Sequence, residues 1–176
     1  GHMTFGNKKI TPGGHWMGIA AQIIKQEKAD HVKAAQTFAL TSIALYDGFI
    51  SCWDEKYRSN YVRPVTVIKD MIDKDWMPFL QTPPFPEYTS GHSVVSSCSA
   101  LILTSIFGDN FAYTDDSEVP FGLPKRKFKS FNLAASEASI SRLYGGIHYR
   151  AAIENGVAQG TGVGEFLNKS LTFFKK

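Results

Sequence analysis

Three short stretches of the chain carry the residue types that can hold an oxyanion and react with it. Lys56 is followed seven residues later by Arg63, which directly precedes Pro64. On a continuous helix that spacing, about two turns, puts both cations on one face. Solvated surface charge is the ordinary account of such a pair. The preceding positions are strongly apolar, however, so both stems should run beside the core. The second stretch is Pro83-Pro84-Phe85-Pro86-Glu87-Tyr88-Thr89-Ser90-Gly91-His92. A stiff proline segment there delivers Ser-Gly-His onto a helix start, where unpaired N–H groups and the positive end of the helix dipole favour an anion. Gly91 would let backbone approach a ligand closely. A plain helix cap explains Ser90 equally well. The third stretch is Ser141-Arg142-Leu143-Tyr144-Gly145-Gly146-Ile147-His148. Arg142 also complements the dipole at the end of its helix, and His148 alone could be a satisfied core histidine.

Taken together the stretches say more. They offer three cations (Lys56, Arg63, Arg142), two histidines at helix starts (His92, His148) and a Ser-Gly donor pair. No cluster of His, Cys, Asp and Glu has metal-ligand spacing. Cations and N–H donors of this kind make a receptor for a multiply charged oxyanion such as phosphate, since guanidinium forks match its oxygens and an ammonium adds a point charge. A histidine facing that anion can be a nucleophile, and a second one a general acid.

The elements that must position these groups read as helices, and the fold class is all-α. Asp30 is the expected N-cap of a long helix to about Tyr57, with Val32, Ala35, Ala39, Ser42, Tyr46, Phe49 and Trp53 as its buried stripe. A shorter helix is expected before it, from about His15 to Lys28. Pro64 suits the first turn of a third helix to about Asp73. Residues 74–90 carry four prolines and read as a loop, with a fourth helix from Gly91 to about Phe107. Residues 108–129 read as a second loop, acidic and then basic, without strands; a solvated loop is the simpler account, a partner or substrate surface the other. A fifth helix fits Phe131 to Tyr144, and a sixth Tyr149 to about Phe173. Gly156, Gly160, Gly162 and Gly164 in the last suggest close helix packing.

Composition closes off other classes. The chain has 176 residues, a net charge of +3 and 43% hydrophobic residues, which fits one globular domain with its own core. That charge is too small to make nucleic acid the expected partner. No run of apolar residues is long enough for a transmembrane segment. Gly1-His2-Met3 reads as an expression-tag remnant, leaving 4–176 as a single domain. Spacing leaves the redox state of Cys52 and Cys98 open.

The order and internal spacing of Lys56-x6-Arg63-Pro64, Ser90-Gly91-His92 and Ser141-Arg142-x5-His148 resemble the three-part signature of the type 2 phosphatidic acid phosphatase and vanadium haloperoxidase superfamily. The wording around the motifs is most similar to its soluble, haloperoxidase-like branch. The resemblance implies a helical bundle with the oxyanion site between helix ends, as the C-terminal part of a longer, periplasmic or secreted chain. It implies first a metal-independent phosphate-ester hydrolase acting on a small phosphorylated substrate without a cofactor. Lys56, Arg63 and Arg142 would then hold the phosphoryl oxygens with Ser90 and the Gly91 N–H, His148 would form a phosphohistidine, and His92 would protonate the leaving group. The alternative it implies is a haloperoxidase whose vanadate cofactor is bound through His148, with Phe85 lining the halide side. A third is a degenerate phosphate-binding domain. Two positions depart from the family pattern. Thr89 replaces a usual Pro, which should only relax the loop. Ala152 replaces a usual Asp that orients the last histidine, so weak turnover is expected, and a gain in Ala152→Asp.

Overall fold

Side-chain caps open most of the helices. In the computed structural model, which describes residues 10–171, Thr11 caps α1 (Pro12–Gln26) and Asp30 caps α2 (His31–Ser59), accepting from the Lys33 N–H at 2.7 Å. Arg63 precedes α3 (Pro64–Met71), which starts on its proline. Ser90 caps α4 (Gly91–Phe107) and Ser130 caps α5 (Phe131–Tyr144); α6 (Arg150–Ser170) follows Tyr149 and has no side-chain cap. Each capping oxygen satisfies an N–H that the helix leaves unpaired. The tag remnant expected at Gly1–Met3 and the helix end expected at Phe173 lie outside the described residues.

Helix α4 is the central element and packs against α1, α2, α5 and α6. One apolar cluster joins Trp16, Ile19 and Ile23 of α1 to Val95 and Leu103 of α4 and Phe131 of α5. A second joins Leu40 and Ala44 of α2 to Cys98 and Ile102 of α4 and Leu167 of α6. Cys52 and Cys98 are both buried and free. The α4–α6 contact depends on glycine: a Cβ on Gly160 would lie 2.1 Å from the Val94 carbonyl oxygen, and one on Gly164 would lie 2.7 Å from the Leu101 side chain. Gly162 meets nothing within 4 Å, so the close-packing expectation fails there. No helix among the described residues is long and apolar enough to cross a membrane.

Two expectations are corrected. The buried row of α2 is Leu40, Ala44, Gly48, Cys52 and Lys56, while Val32 and Tyr46 are exposed. Close approach to α4 and α6 selects small residues, so the larger letters turn outward. Residues 108–129 also contain an antiparallel pair, β1 (Tyr113–Asp115) and β2 (Arg126–Phe128), which pairs Tyr113 with Phe128. Its strands are too short to show a period.

Candidate active site

Lys56 and Arg63 meet through a turn between two helices and do not share a helix face as the spacing suggested. Helix α2 ends at Ser59, Asn60 takes a left-handed conformation (φ 49°), and Arg63 sits at the start of α3. Both side chains are buried. The Lys56 ammonium donates to the carbonyls of Pro86 (3.0 Å), Glu87 (2.9 Å) and Thr89 (2.5 Å). Arg63 donates from Nε to the Phe85 carbonyl at 3.0 Å and from Nη1 to the Ile147 carbonyl at 2.7 Å. The proline segment is therefore folded around the two cations. The Phe85 ring covers them, 5.3 Å from Lys56 Nζ and 5.2 Å from the Arg63 guanidinium carbon, and Trp53 packs on Phe85. Burial pulls the Lys56 ammonium down to about 8 and Arg63 to about 10. Both remain largely cationic near neutral pH.

His148 closes this group. Its Nε2 lies 3.1 Å from Arg63 Nη1, and its Nδ1 lies 2.7 Å from Glu87 Oε1. Burial pushes the Glu87 carboxyl up, against the opposing pull of the Tyr149 N–H and of the Arg63 and Lys56 charges. Ser90 is buried and its Oγ accepts the Ser93 N–H, so the helix-cap account holds for its lone pair; its hydroxyl hydrogen can still donate. The Ser90 N–H donates to the Ala152 carbonyl at 2.9 Å, which joins the start of α4 to α6. A Cβ at Gly91 would come 3.3 Å from the Trp53 ring, a tight approach for which the ring would have to give way slightly.

Arg142 and His92 line a cavity of about 220 Å³ together with His15, Asp115 and Glu118. The Arg142 Nε donates to Ser141 Oγ at 3.0 Å, and burial lowers the guanidinium's pKa. Contacts therefore join Lys56, Arg63, Phe85 and His148 directly, with Ser90 and Gly91 at the adjoining helix start. Arg142 and His92 line the cavity instead, and its walls include none of Lys56, Arg63, Phe85, Ser90, Gly91 and His148. Among the described residues no group of three or more His, Cys, Asp or Glu could hold a metal ion directly.

Residues 36–175 match the family described as the VCPO second helical-bundle domain. The chain belongs to the haloperoxidase-like branch of the vanadium haloperoxidase and type 2 phosphatidic acid phosphatase superfamily. The first bacterial vanadium-dependent iodoperoxidase of known crystal structure is 60% identical to this chain with a TM-score of 0.92, covering 93% of this chain and 40% of that one. Holo- and apo-type structures of a bacterial vanadium-dependent chloroperoxidase align with TM-scores of 0.73 at 18% identity, over 90% of this chain and 40% and 43% of theirs; that likeness shows the fold alone. The chain thus spans about 40% of the length of these solved proteins. No curated protein matches it.

Within this haloperoxidase-like frame the two departures read differently from expectation. Thr89 does not loosen the loop: it is buried, its carbonyl accepts from Lys56 and its hydroxyl donates to Gln159 at 2.5 Å. Ala152 does not leave His148 without a carboxylate, because Glu87 reaches Nδ1 from the proline segment. The expectation of weak turnover rested on the loss of a carboxylate one helix turn beyond His148. Helix α6 begins only at Arg150, so the positions 148 and 152 are not stacked turns. Glu87 is the residue that sequence reasoning passed over. The available signal was one carboxylate set among three prolines and two aromatics.

Proposed function

We propose that this chain is the oxyanion-holding unit of a longer vanadium-dependent haloperoxidase, with iodide the first halide to test. The observation that carries the reading is the buried charge imbalance. Lys56 and Arg63 are both buried, and Glu87 is the buried carboxylate that offsets them. An uncompensated buried cation is costly, and a bound oxyanion would balance it. The group set suits vanadate: guanidinium donors, a hydroxyl, the N–H groups at the start of α4, and the Lys56 ammonium as a buried positive charge. The 60% identity to a vanadium-dependent iodoperoxidase supports this reading over the phosphate-ester hydrolase expected first.

In this assignment Arg63, Arg142, the Ser90 hydroxyl and the Gly91 N–H would hold the oxyanion's oxygens. Lys56, whose three hydrogens lie on loop carbonyls, contributes chiefly as a buried point charge and holds the loop in place. His148 would present Nε2 as the protein's ligand. Vanadate, when bound, supplies a Lewis-acidic centre that activates hydrogen peroxide for two-electron oxidation of a halide. His92 would take up and return a proton at its imidazole, and Phe85 and Trp53 shield the cations from bulk water. These field effects are strong because the groups are fixed and desolvated before substrate arrives.

The test is to load the protein with orthovanadate and measure triiodide formation from iodide and peroxide, beside nitrophenyl phosphate hydrolysis without vanadate. Vanadate-dependent triiodide formation, lost in His148→Ala, is expected. Phosphate release with no vanadate-dependent iodide oxidation would return the site to the hydrolase reading.

A further inference from the structure

The imidazole of His148 is held at both nitrogens, and the chemistry of one partner fixes the proton on the other. Arg63 Nη1 lies 3.1 Å from Nε2. A guanidinium can only donate, so Nε2 must offer its lone pair. In a ring with one bare nitrogen the proton sits on Nδ1, and there it points at Glu87 Oε1, 2.7 Å away. The same Oε1 accepts the Tyr149 backbone N–H at 3.0 Å, which ties the carboxylate to the main chain just after the histidine. The backbone of Glu87 is equally constrained: its N–H donates to the Tyr61 carbonyl at 2.9 Å, and its carbonyl accepts from Lys56. The side chain is 1% exposed, so water does not compete for these bonds.

We propose that Glu87 is the positioning residue of His148, fixing the Nδ1–H tautomer so that the Nε2 lone pair faces the cation group, in the role that an acidic residue at position 152 cannot fill here. This deepens the oxyanion reading above and rests on it. An imidazole in water favours the opposite, Nε2–H form, which would turn a proton toward Arg63 and leave no lone pair for a ligand. A carboxylate behind a ligating histidine also raises its basicity, and removing such a partner typically costs about 10- to 100-fold in metal affinity.

Long-range ¹⁵N–¹H correlation spectra of histidine-labelled protein test this directly, with His148→Gln identifying the His148 signals. Wild-type His148 should show a protonated Nδ1 and a bare Nε2. Glu87→Gln, which keeps shape but removes charge, should populate the Nε2–H form. It should also bind orthovanadate about 10- to 100-fold more weakly by calorimetry in EDTA. A wild-type ring protonated at Nε2 overturns the proposal even if the variant fails to fold, as does a folded variant with unchanged tautomer and affinity. If the tautomer responds as expected but neither protein binds vanadate, the positioning role stands and the haloperoxidase reading fails. Vanadate binding with an indifferent tautomer overturns the positioning role and leaves the haloperoxidase reading standing.

Discussion

Gly160→Ala should destabilise the protein, and Gly162→Ala, two residues along the same helix, should stabilise it. At Gly160 a Cβ would sit 2.1 Å from the Val94 carbonyl oxygen and 2.9 Å from both Val94 C and Cα, all backbone atoms that no rotamer change can move. Reaching an ordinary contact requires α4 and α6 to part by about 1 Å, and overpacking of this kind costs about 1–3 kcal/mol or more. The better helix propensity of alanine returns about 1 kcal/mol. Because the neighbour is backbone, the upper part of the range applies, giving a net loss of about 2 kcal/mol. Gly162 meets nothing within 4 Å and is solvent-exposed, so only the propensity acts and a gain of about 1 kcal/mol is expected. Urea unfolding with a shared m-value should separate the two variants by about 3 kcal/mol. The helix separation should also stretch the Ser90 N–H to Ala152 bond at the start of α4, so Gly160→Ala should weaken orthovanadate binding while Gly162→Ala should not. A Gly160→Ala protein as stable as wild type would refute the packing argument, because no flexible group is present to absorb the clash.

Two further outcomes follow from the same geometry. Ala152 is fully buried, so Ala152→Asp should bring no gain in kcat now that Glu87 occupies Nδ1, and should lower stability by about 3 kcal/mol through an unpaired buried carboxylate; a higher kcat in vanadate-loaded protein would contradict the Glu87 contact. His15 lies 2.6 Å from Asp115 and 3.3 Å from Glu118; burial alone would lower its pKa, but the Asp115 bond and both carboxylate charges outweigh it and leave it raised. A raised folded pKa stabilises fully below the unfolded value near 6.5 and fades as pH climbs through the folded value. His15→Gln should therefore cost about 1 kcal/mol in mildly acidic buffer and progressively less in alkaline buffer, as read by melting temperature across pH; a cost that grows with pH would reverse the sign and refute it.

Helix starts were legible because a cap is local. Asp30 and Ser90 each bond an N–H three residues on, so residue type alone placed the starts of α2 and α4, whereas α1, expected from His15, starts three residues earlier on its Thr11 cap. The buried face of α2 was misread because apolarity was taken as the marker of burial. The actual row repeats every four residues through Leu40, Ala44, Gly48, Cys52 and Lys56, and its three middle members are small residues packed against α4 and α6. Only Leu40 stands out on a hydropathy scale. The β1–β2 pair was hidden for another reason: its register depends on pairing across residues 116–125, which no local period reports.

The same row explains why the cation site was half legible. Lys56 is the last member of a stripe that must face inward, so the helix register buries an ammonium whether or not a ligand is present. A buried ammonium needs oxygen partners, and the three carbonyls of residues 86, 87 and 89 supply them. The proline segment is well suited to supplying them, because its prolines lack N–H groups to satisfy and leave carbonyls free to turn inward. Once those carbonyls are drawn to Lys56 and Arg63, the single carboxylate of the segment is carried to His148, 61 residues away in sequence. Motif spacing could identify the cations and the histidines, each within one short stretch. It could not identify Glu87, whose role exists only because two buried charges shape the loop that holds it.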